Sequence, residues 1–77
     1  MTVQVYTRSQ CTYCTAAKQL LNTKNIAFEE ISLDDMTILE EFKAQYPGVR
    51  QVPQIVINGE RIGGYQELKN FDLSTLS

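Results

Sequence analysis

Strand-like and helix-like patterns alternate along this chain, and their order restricts the possible fold more than any other feature. Residues 2–6 are β-branched and aromatic, which is typical of a strand. Apolar residues then recur at helical spacings of three and four across residues 13–21. Lys24 and Asn25 favour the end of this helix, and residues 26–33 predict a second strand. A strand, a helix and a strand in this order predict a right-handed βαβ unit with parallel strands.

The second half of the chain predicts another helix and a hairpin. Two aspartates at 34–35 are candidate N-caps for a helix whose inward side chains are Ile38, Leu39, Phe42 and Tyr46. Residues 54–57 predict a strand, and the Asn-Gly pair at 58–59 predicts a two-residue turn into a strand at 60–62. A last short helix is expected to start near Tyr65 and to fray in the segment 72–77.

The complete predicted order is β-α-β-α-β-β-α, an α/β arrangement with a four-stranded mixed sheet flanked by three helices. A length of 77 residues, of which 43% are hydrophobic, indicates one small domain over residues 1–77. The formal net charge is −2, and the Lys and Arg residues are scattered singly. No basic stripe suggests nucleic acid, and no polybasic segment suggests a lipid surface.

The location expected for the protein is the cytoplasm. Residues 1–10 lack the pattern of a signal peptide, and no stretch reaches transmembrane length. The two cysteines also suit a reduced compartment, because a CxxC pair there is more often catalytic or metal-binding than structural.

Cys11 and Cys14 are the chain's two cysteines, and three functions can be weighed for them. A structural disulfide between them would close a loop of only about four residues, worth roughly 2 kcal/mol before strain is subtracted. A closed zinc site normally needs four ligands, of which this chain, lacking His, supplies two. The remaining function, a redox couple, is favoured by the position of the pair between a predicted strand and a predicted helix.

The helix start gives the two cysteines different chemistry. Cys11 lies at the predicted N-terminus, where free N–H groups and the helix dipole stabilise a thiolate and should lower its pKa. Arg8 adds positive charge three residues earlier. Cys14 lies one helical turn further along, which brings its sulfur within bonding reach of the sulfur of Cys11. We therefore expect Cys11 to attack substrates and Cys14 to resolve the mixed disulfide.

Two longer stretches, "VYTRSQCTYC" and "QVPQIVINGERIGG", together with the element order, resemble the glutaredoxin family over nearly the whole chain. The resemblance implies a thioredoxin-like fold and reduction of disulfides with glutathione. It implies that Cys11 becomes glutathionylated, that Cys14 resolves, and that Tyr13 lies beside the site. Pro53 would be a cis-proline and Val52 would offer its backbone to the cysteinyl part of glutathione, although Pro53 could instead simply begin a strand.

The remaining glutathione contacts are also implied by the resemblance alone. The amides of Tyr65 and Gln66, after Gly63 and Gly64, would meet the γ-glutamyl carboxylate, whereas a simple strand-to-helix turn is the alternative there. Basic positions would meet the glycyl carboxylate. The full set of implied contacts is Arg8, Tyr13, Arg50, Gln51, Val52, Pro53, Gly64, Tyr65 and Gln66.

Three residues depart from the family pattern. Thr12 stands where many dithiol members have proline, and Gln51 stands where a threonine is common. Gln66 replaces a common aspartate, so the γ-glutamyl ammonium loses a counter-charge that Glu67 would have to supply.

The expected function is that of a monomeric dithiol glutaredoxin without a metal. It would pass electrons from glutathione to protein disulfides or glutathionylated proteins, with ribonucleotide reductase as one acceptor. In one alternative, a short redoxin with the same chemistry takes its electrons from thioredoxin reductase, which Gln51 and Gln66 would allow. In the other, two subunits hold a [2Fe–2S] cluster through Cys11 and two glutathiones, which Thr12 would permit.

Overall fold

The computed structural model describes residues 2–71 and places seven elements there in the predicted order. They are β1 (Val3–Thr7), α1 (Thr12–Thr23), β2 (Glu29–Ser32), α2 (Met36–Gln45), β3 (Gln54–Ile57), β4 (Glu60–Gly63) and α3 (Tyr65–Asn70). The predicted fraying of the last helix falls on residues 72–77, outside the described part. No helix within the described part is long and apolar enough to cross a membrane.

The four strands form one mixed sheet in the order β2-β1-β3-β4. β1 runs parallel to β2, which confirms the predicted βαβ unit, and Val5 lies opposite Glu30 in that pair. β1 pairs antiparallel with β3, where Tyr6 lies opposite Gln54. β3 and β4 complete the sheet as an antiparallel hairpin.

The two faces of the sheet are covered by different helices. Buried side chains from α1 and α3 pack with those of β1 and β3 in one cluster that contains Val3, Val5, Ala17, Leu21, Ile26, Ile55, Ile57 and Leu68. Tyr6 alternates with Val5 along β1 and therefore points to the opposite face. Its ring lies 4.8 Å from that of Phe42 in α2, so α2 covers that second face.

The second strand is shorter than the predicted residues 26–33. Asn25 adopts φ +58° at the end of α1, as its tolerance of the left-handed region predicts. Ile26 then donates its N–H to the carbonyl of Leu21 at 2.9 Å. This bond caps the C-terminus of α1, so the buried Ile26 lies in the connection that follows the helix and not in β2.

Of the two aspartates predicted as candidate N-caps of α2, one is confirmed and the other has a different role. Asp35 is the N-cap, and its carboxylate accepts the N–H groups of Thr37 and Ile38 at 2.9 and 3.3 Å. Asp34 instead accepts the N–H of Ser9 at 3.0 Å, a contact with a distant loop. Of the side chains expected to point inward, Phe42 is buried, whereas Ile38, Leu39 and Tyr46 are half-buried.

The hairpin agrees with its sequence signal. Asn58 and Gly59 have φ values of +53° and +83°, the combination of a type I′ turn. Asn58 also exchanges backbone and side-chain hydrogen bonds with Thr2, which ties the turn to the start of β1.

The main cluster provides a stability test. Leu21 is fully buried, so Leu21→Ala should lower the free energy of unfolding by about 2–5 kcal/mol. Gln19→Ala is the matched control, because Gln19 is exposed on the same helix and should change stability by about 0.5 kcal/mol or less. Urea denaturation measures both, and equal effects would contradict the assigned core.

Candidate redox site and adjoining groove

Cys11 and Cys14 meet at the start of α1, directly after the loop that leaves β1. Cys11 is the N-cap of the helix, with extended backbone (φ −111°, ψ 109°). The two sulfurs are joined in a disulfide, with the Cα atoms 5.2 Å apart. A spacing of three residues across the first helical turn brings the pair together, as the sequence predicts.

The two cysteines differ in exposure and in hydrogen bonding. Cys14 is buried, with 2% of its surface exposed, whereas Cys11 is half-buried. The N–H of Cys14 donates to the sulfur of Cys11 at 3.1 Å. No acidic residue lies in the first turn of α1. The position therefore offers a Cys11 thiolate a donor and the positive end of the helix, with no opposing charge from that turn.

The segment before β3 approaches the same sulfur. The Val52–Pro53 peptide is cis, as the resemblance implied, and Pro53 is buried, with β3 beginning at the next residue. The carbonyl oxygen of Val52 lies 3.9 Å from Sγ of Cys11. The backbone of Val52 is thus within reach of any group bound to that sulfur.

A groove of about 810 Å³ lies on this side of the redox pair. It brings together seven of the nine implied glutathione contacts, namely Tyr13, Gln51, Val52, Pro53, Gly64, Tyr65 and Gln66. Glu67 and Lys69 line it as well. We call it the glutathione groove below, although the contact roles of these residues remain predictions.

Two tyrosines and a lysine form one wall of the groove. Tyr13 is 64% exposed, and its ring lies 5.8 Å from that of Tyr65. The ammonium of Lys69 lies 5.4 Å from the centre of the Tyr65 ring, a cation–π contact. Sequence reasoning missed Lys69, although its spacing of four from Tyr65 on the predicted helix was an available signal.

Glu67 is placed by the paired glycines. Its carboxylate accepts the N–H of Gly64 at 2.7 Å. Gly63 has φ +127°, and a Cβ there would lie 2.6 Å from Cγ of Glu67. Glycine at 63 therefore leaves room for the Glu67 side chain, which brings a negative charge next to Gln66.

Arg8 and Arg50 do not line the glutathione groove. Nε of Arg8 lies 3.9 Å from Oδ1 of Asp34, on the other side of the redox pair. Arg50 lies in the segment between α2 and β3, beside the groove. Their predicted contacts with the glycyl carboxylate remain predictions.

A second, polar cavity of about 510 Å³ adjoins the opposite side of the pair and contains an ion pair. Nζ of Lys18 lies 3.0 Å from the carboxylate of Glu30, which also accepts the hydroxyl of Thr7 at 2.9 Å. The hydrogen bonds from Lys18 and Thr7 hold the pKa of Glu30 below its usual 4.5. Sequence reasoning missed this cluster because it joins three different elements.

The comparisons with known proteins agree with this geometry. A family model described as Glutaredoxin matches residues 3–62. The chain belongs to the glutaredoxin family. Glutaredoxin 3 of Escherichia coli strain K12 is 37% identical over 70 residues, which cover 91% of this chain and 84% of that protein. Glutaredoxin 1 of Rickettsia conorii is 43% identical over 74 residues, which cover 94% of this chain and 71% of that protein.

Solved structures of two glutaredoxins and of a glutaredoxin-like protein are similar to this fold over most of the chain. Glutaredoxin 1 from Francisella tularensis, in complex with cacodylate, has a TM-score of 0.75 at 41% identity, covering 90% of this chain and 88% of that one. The glutaredoxin-like NrdH-redoxin from Escherichia coli, which has a thioredoxin-like activity profile, has a TM-score of 0.77 at 27% identity. The match covers 92% of this chain and 95% of that one. A buckwheat glutaredoxin–glutathione complex has a TM-score of 0.76 at 28% identity, covering 88% of this chain and 64% of that one.

Membership of the glutaredoxin family makes this chain a thiol-disulfide oxidoreductase with a thioredoxin-like fold. Within residues 2–71, the structure groups no three His, Cys, Asp or Glu residues in a way that could hold a metal ion. That search does not test the two-subunit [2Fe–2S] alternative, in which each chain supplies one cysteine, so the alternative remains a prediction.

Because the pKa of Glu30 is lowered, we expect the stability difference between the wild-type protein and Glu30→Gln to depend on pH. Because the folded-state pKa lies below the unfolded value, the ionised carboxylate stabilises the fold above about pH 4.5, and this contribution is lost as the pH falls through the folded pKa. Since the side chains of Lys18 and Glu30 are partly exposed to water, Glu30→Gln should cost about 0.5 kcal/mol or less at pH 7. The cost should shrink as the pH falls below about 4.5 and through the lowered pKa of Glu30.

Urea denaturation across this pH range measures the effect. Glu40→Gln is the control, because Glu40 is exposed on α2 and makes no side-chain hydrogen bond among residues 2–71. A pH-independent cost for Glu30→Gln would show that its charge does not stabilise the fold.

Proposed function

We propose that this chain reduces protein disulfides and glutathione mixed disulfides, with glutathione as its reductant and Cys11 and Cys14 as its redox pair. The observation that carries the proposal is the position of Cys11. Its half-buried sulfur accepts the N–H of Cys14 at 3.1 Å and lies 3.9 Å from the carbonyl oxygen of Val52, at the glutathione groove.

In the proposed complex, the cysteinyl part of glutathione pairs with the backbone of Val52. The γ-glutamyl carboxylate meets the amides of Tyr65 and Gln66, and the glycyl carboxylate points towards Arg8 and Arg50. The buckwheat glutaredoxin solved with glutathione supports a tripeptide ligand for this fold. The shared groove of Val52, Tyr65 and Gln66 supports the same placement here.

Glu67 provides the negative charge that Gln66 lacks. Its carboxylate accepts the N–H of Gly64 at 2.7 Å and is exposed at the wall of the groove. We propose that the same carboxylate attracts the γ-glutamyl ammonium.

The monothiol route needs only Cys11. Its thiolate attacks the glutathione sulfur of a mixed disulfide, so that a Cys11–glutathione bond forms and the substrate thiolate leaves and is protonated by water. A second glutathione thiolate then attacks the bound glutathione sulfur. Glutathione disulfide is released, and the Cys11 thiolate is regenerated with its donor from Cys14 still in place.

The dithiol route needs both cysteines. Cys11 attacks one sulfur of a protein disulfide and releases the first substrate thiolate. Cys14 then attacks the sulfur of Cys11, which releases the second thiolate and leaves the Cys11–Cys14 disulfide. Burial of Cys14 beside Cys11 supports this order, because the substrate can reach only the outer sulfur. Two glutathiones reduce the pair again.

A second candidate keeps this chemistry but takes its electrons from thioredoxin reductase. The similarity to NrdH-redoxin, with its thioredoxin-like activity profile, favours it, as do Gln51 and Gln66 in the groove. The groove of Gly64 and Tyr65 beside Val52 favours glutathione, which we retain as the main proposal.

The proposed setting is the cytoplasm, where thiol pools are kept reduced. There the chain would act as a monomeric single domain over residues 1–77. Ribonucleotide reductase is one acceptor that the family suggests.

Separate substitutions test the two cysteine roles. Cys11→Ser should reduce turnover of every disulfide substrate to the uncatalysed rate, because the attacking sulfur is lost. Cys14→Ser should retain reduction of glutathione mixed disulfides and lose reduction of protein disulfides. Gln19→Ala is the control for handling and folding, and equal losses in both cysteine variants on both substrates would contradict the division of roles.

The electron source is tested by NADPH consumption with a small glutathione mixed disulfide. One assay contains glutathione and glutathione reductase, and the other contains thioredoxin reductase alone. We expect turnover only in the first. Turnover only in the second would replace the main proposal with the redoxin candidate, and silence in both would reject both.

A further inference from the structure

A groove of about 580 Å³ separates α2 from the segment that leads to β3, and we call it the basic groove. Three cationic residues line it, and none of its lining residues is acidic. The cations are Arg8, Lys43 and Arg50. The chain has seven Lys and Arg residues and a net charge of −2, so this groove has the opposite sign to the molecule as a whole.

The charges in the basic groove are available to a ligand. Lys43 and Arg50 are exposed, and neither has an ion pair among residues 2–71. Half of the Arg8 side chain is exposed, and its one ion-pair partner among residues 2–71, Asp34, is 3.9 Å away and lines the polar cavity.

The floor of the basic groove is apolar. Along α2, Leu39 lies three residues before Phe42 and four residues before Lys43, so it is a neighbour of both on the helix surface. Leu33 and Val49 contribute from the neighbouring segments. An occupant with an acidic group and an apolar side chain would match both features of this lining.

The basic groove continues directly from the redox site. Gln51 and Val52 line both it and the glutathione groove. The carbonyl oxygen of Val52 lies 3.9 Å from the sulfur of Cys11. A chain attached to Cys11 through a disulfide can therefore pass over Val52 into the basic groove.

We propose that the basic groove binds the segment that follows the target cysteine in a protein substrate, and that it selects acidic residues there. The inference rests on the proposed placement of glutathione, whose γ-glutamyl end lies at Tyr65 and whose glycyl end points towards Arg8 and Arg50. Glutathione ends at that glycyl carboxylate, whereas a polypeptide continues. At about 3.3–3.6 Å per extended residue, the residues that follow would continue along the groove that Lys43 and its apolar neighbours line.

The binding step precedes the dithiol reaction already described. The Cys11 thiolate attacks the substrate disulfide, and the substrate half that stays bonded to Cys11 occupies the basic groove until Cys14 releases it. The protein is oxidised to its internal disulfide, while the substrate disulfide gains the two electrons and ends as two thiols.

The test uses the full-length, fully reduced protein and disulfide-linked dimers of a short peptide with one cysteine. One peptide has two aspartates in the three positions after the cysteine, a second has them before it, and a third has lysines after it. The rate constant for peptide reduction is measured by chromatography without glutathione. Lys43→Glu is compared with Lys24→Glu, which makes the same charge change at the exposed far end of α1.

We expect Lys43→Glu to slow the peptide with aspartates after the cysteine about fivefold, and the effect to shrink at high salt. Lys24→Glu should change that rate by less than about twofold. Equal effects of the two variants, or an effect of Lys43→Glu that is the same for all three peptides, would overturn the inference. A larger effect on the peptide with aspartates before the cysteine would overturn the direction of binding.

Failure of the proposed function gives a separate result. If the wild-type protein shows no turnover with glutathione and glutathione reductase but Lys43→Glu still slows the expected peptide selectively, glutathione dependence fails and the basic groove stands. Glutathione turnover without any peptide selectivity rejects the basic groove alone.

Discussion

The antiparallel pairing of β1 with β3 determines where every part of the redox site lies. Because Tyr6 pairs with Gln54, the last residues of β1 lie beside the first residues of β3. The loop that carries Cys11 leaves the sheet at the same edge at which the Val52–Pro53 peptide enters it. β4 returns to this edge as well, since Gly63 pairs with Ile55. Three segments that are distant in sequence therefore meet at one side of the helix N-terminus.

The core explains why this arrangement is held in place. Val5 and Ile55, from the two paired strands, and Leu21, from the helix that starts at Cys11, are all fully buried. Packing of these side chains fixes α1 as a rigid element relative to β3. The distance between the sulfur of Cys11 and the carbonyl of Val52 is thus determined by contacts that lie well away from the sulfur itself.

Features with local causes could be predicted from the sequence. Asn58 and Asn25 both adopt positive φ values, which asparagine tolerates. The hairpin turn at Asn58 and the end of α1 at Asn25 could therefore be predicted from the residue type. The CxxC pair could also be placed, because a helix start and a spacing of three determine its geometry. The resemblance to glutaredoxins located most of the groove, since its motifs lie in the segments that the sheet brings together.

Features that depend on tertiary contacts could not be predicted in the same way. Asp34 has the local signal of an N-cap, but it accepts the N–H of Ser9 from another loop. The ion pair of Lys18 and Glu30 joins a helix to a strand. The basic groove brings Arg8 together with Lys43 and Arg50, which lie 35 and 42 positions later in the chain. Single charges scattered along a sequence give no indication of such grouping.

The unequal exposure of the two cysteines has a consequence for oxidation by peroxide. Cys11 meets an oxidant first, because Cys14 is buried behind it. A sulfenic acid formed on Cys11 would have a thiol beside it, with the two Cα atoms only 5.2 Å apart in the closed pair. Condensation to the disulfide then competes with further oxidation to the sulfinic acid, which is irreversible for most proteins. With the cysteine roles proposed above, Cys14 would thus protect Cys11 from permanent inactivation.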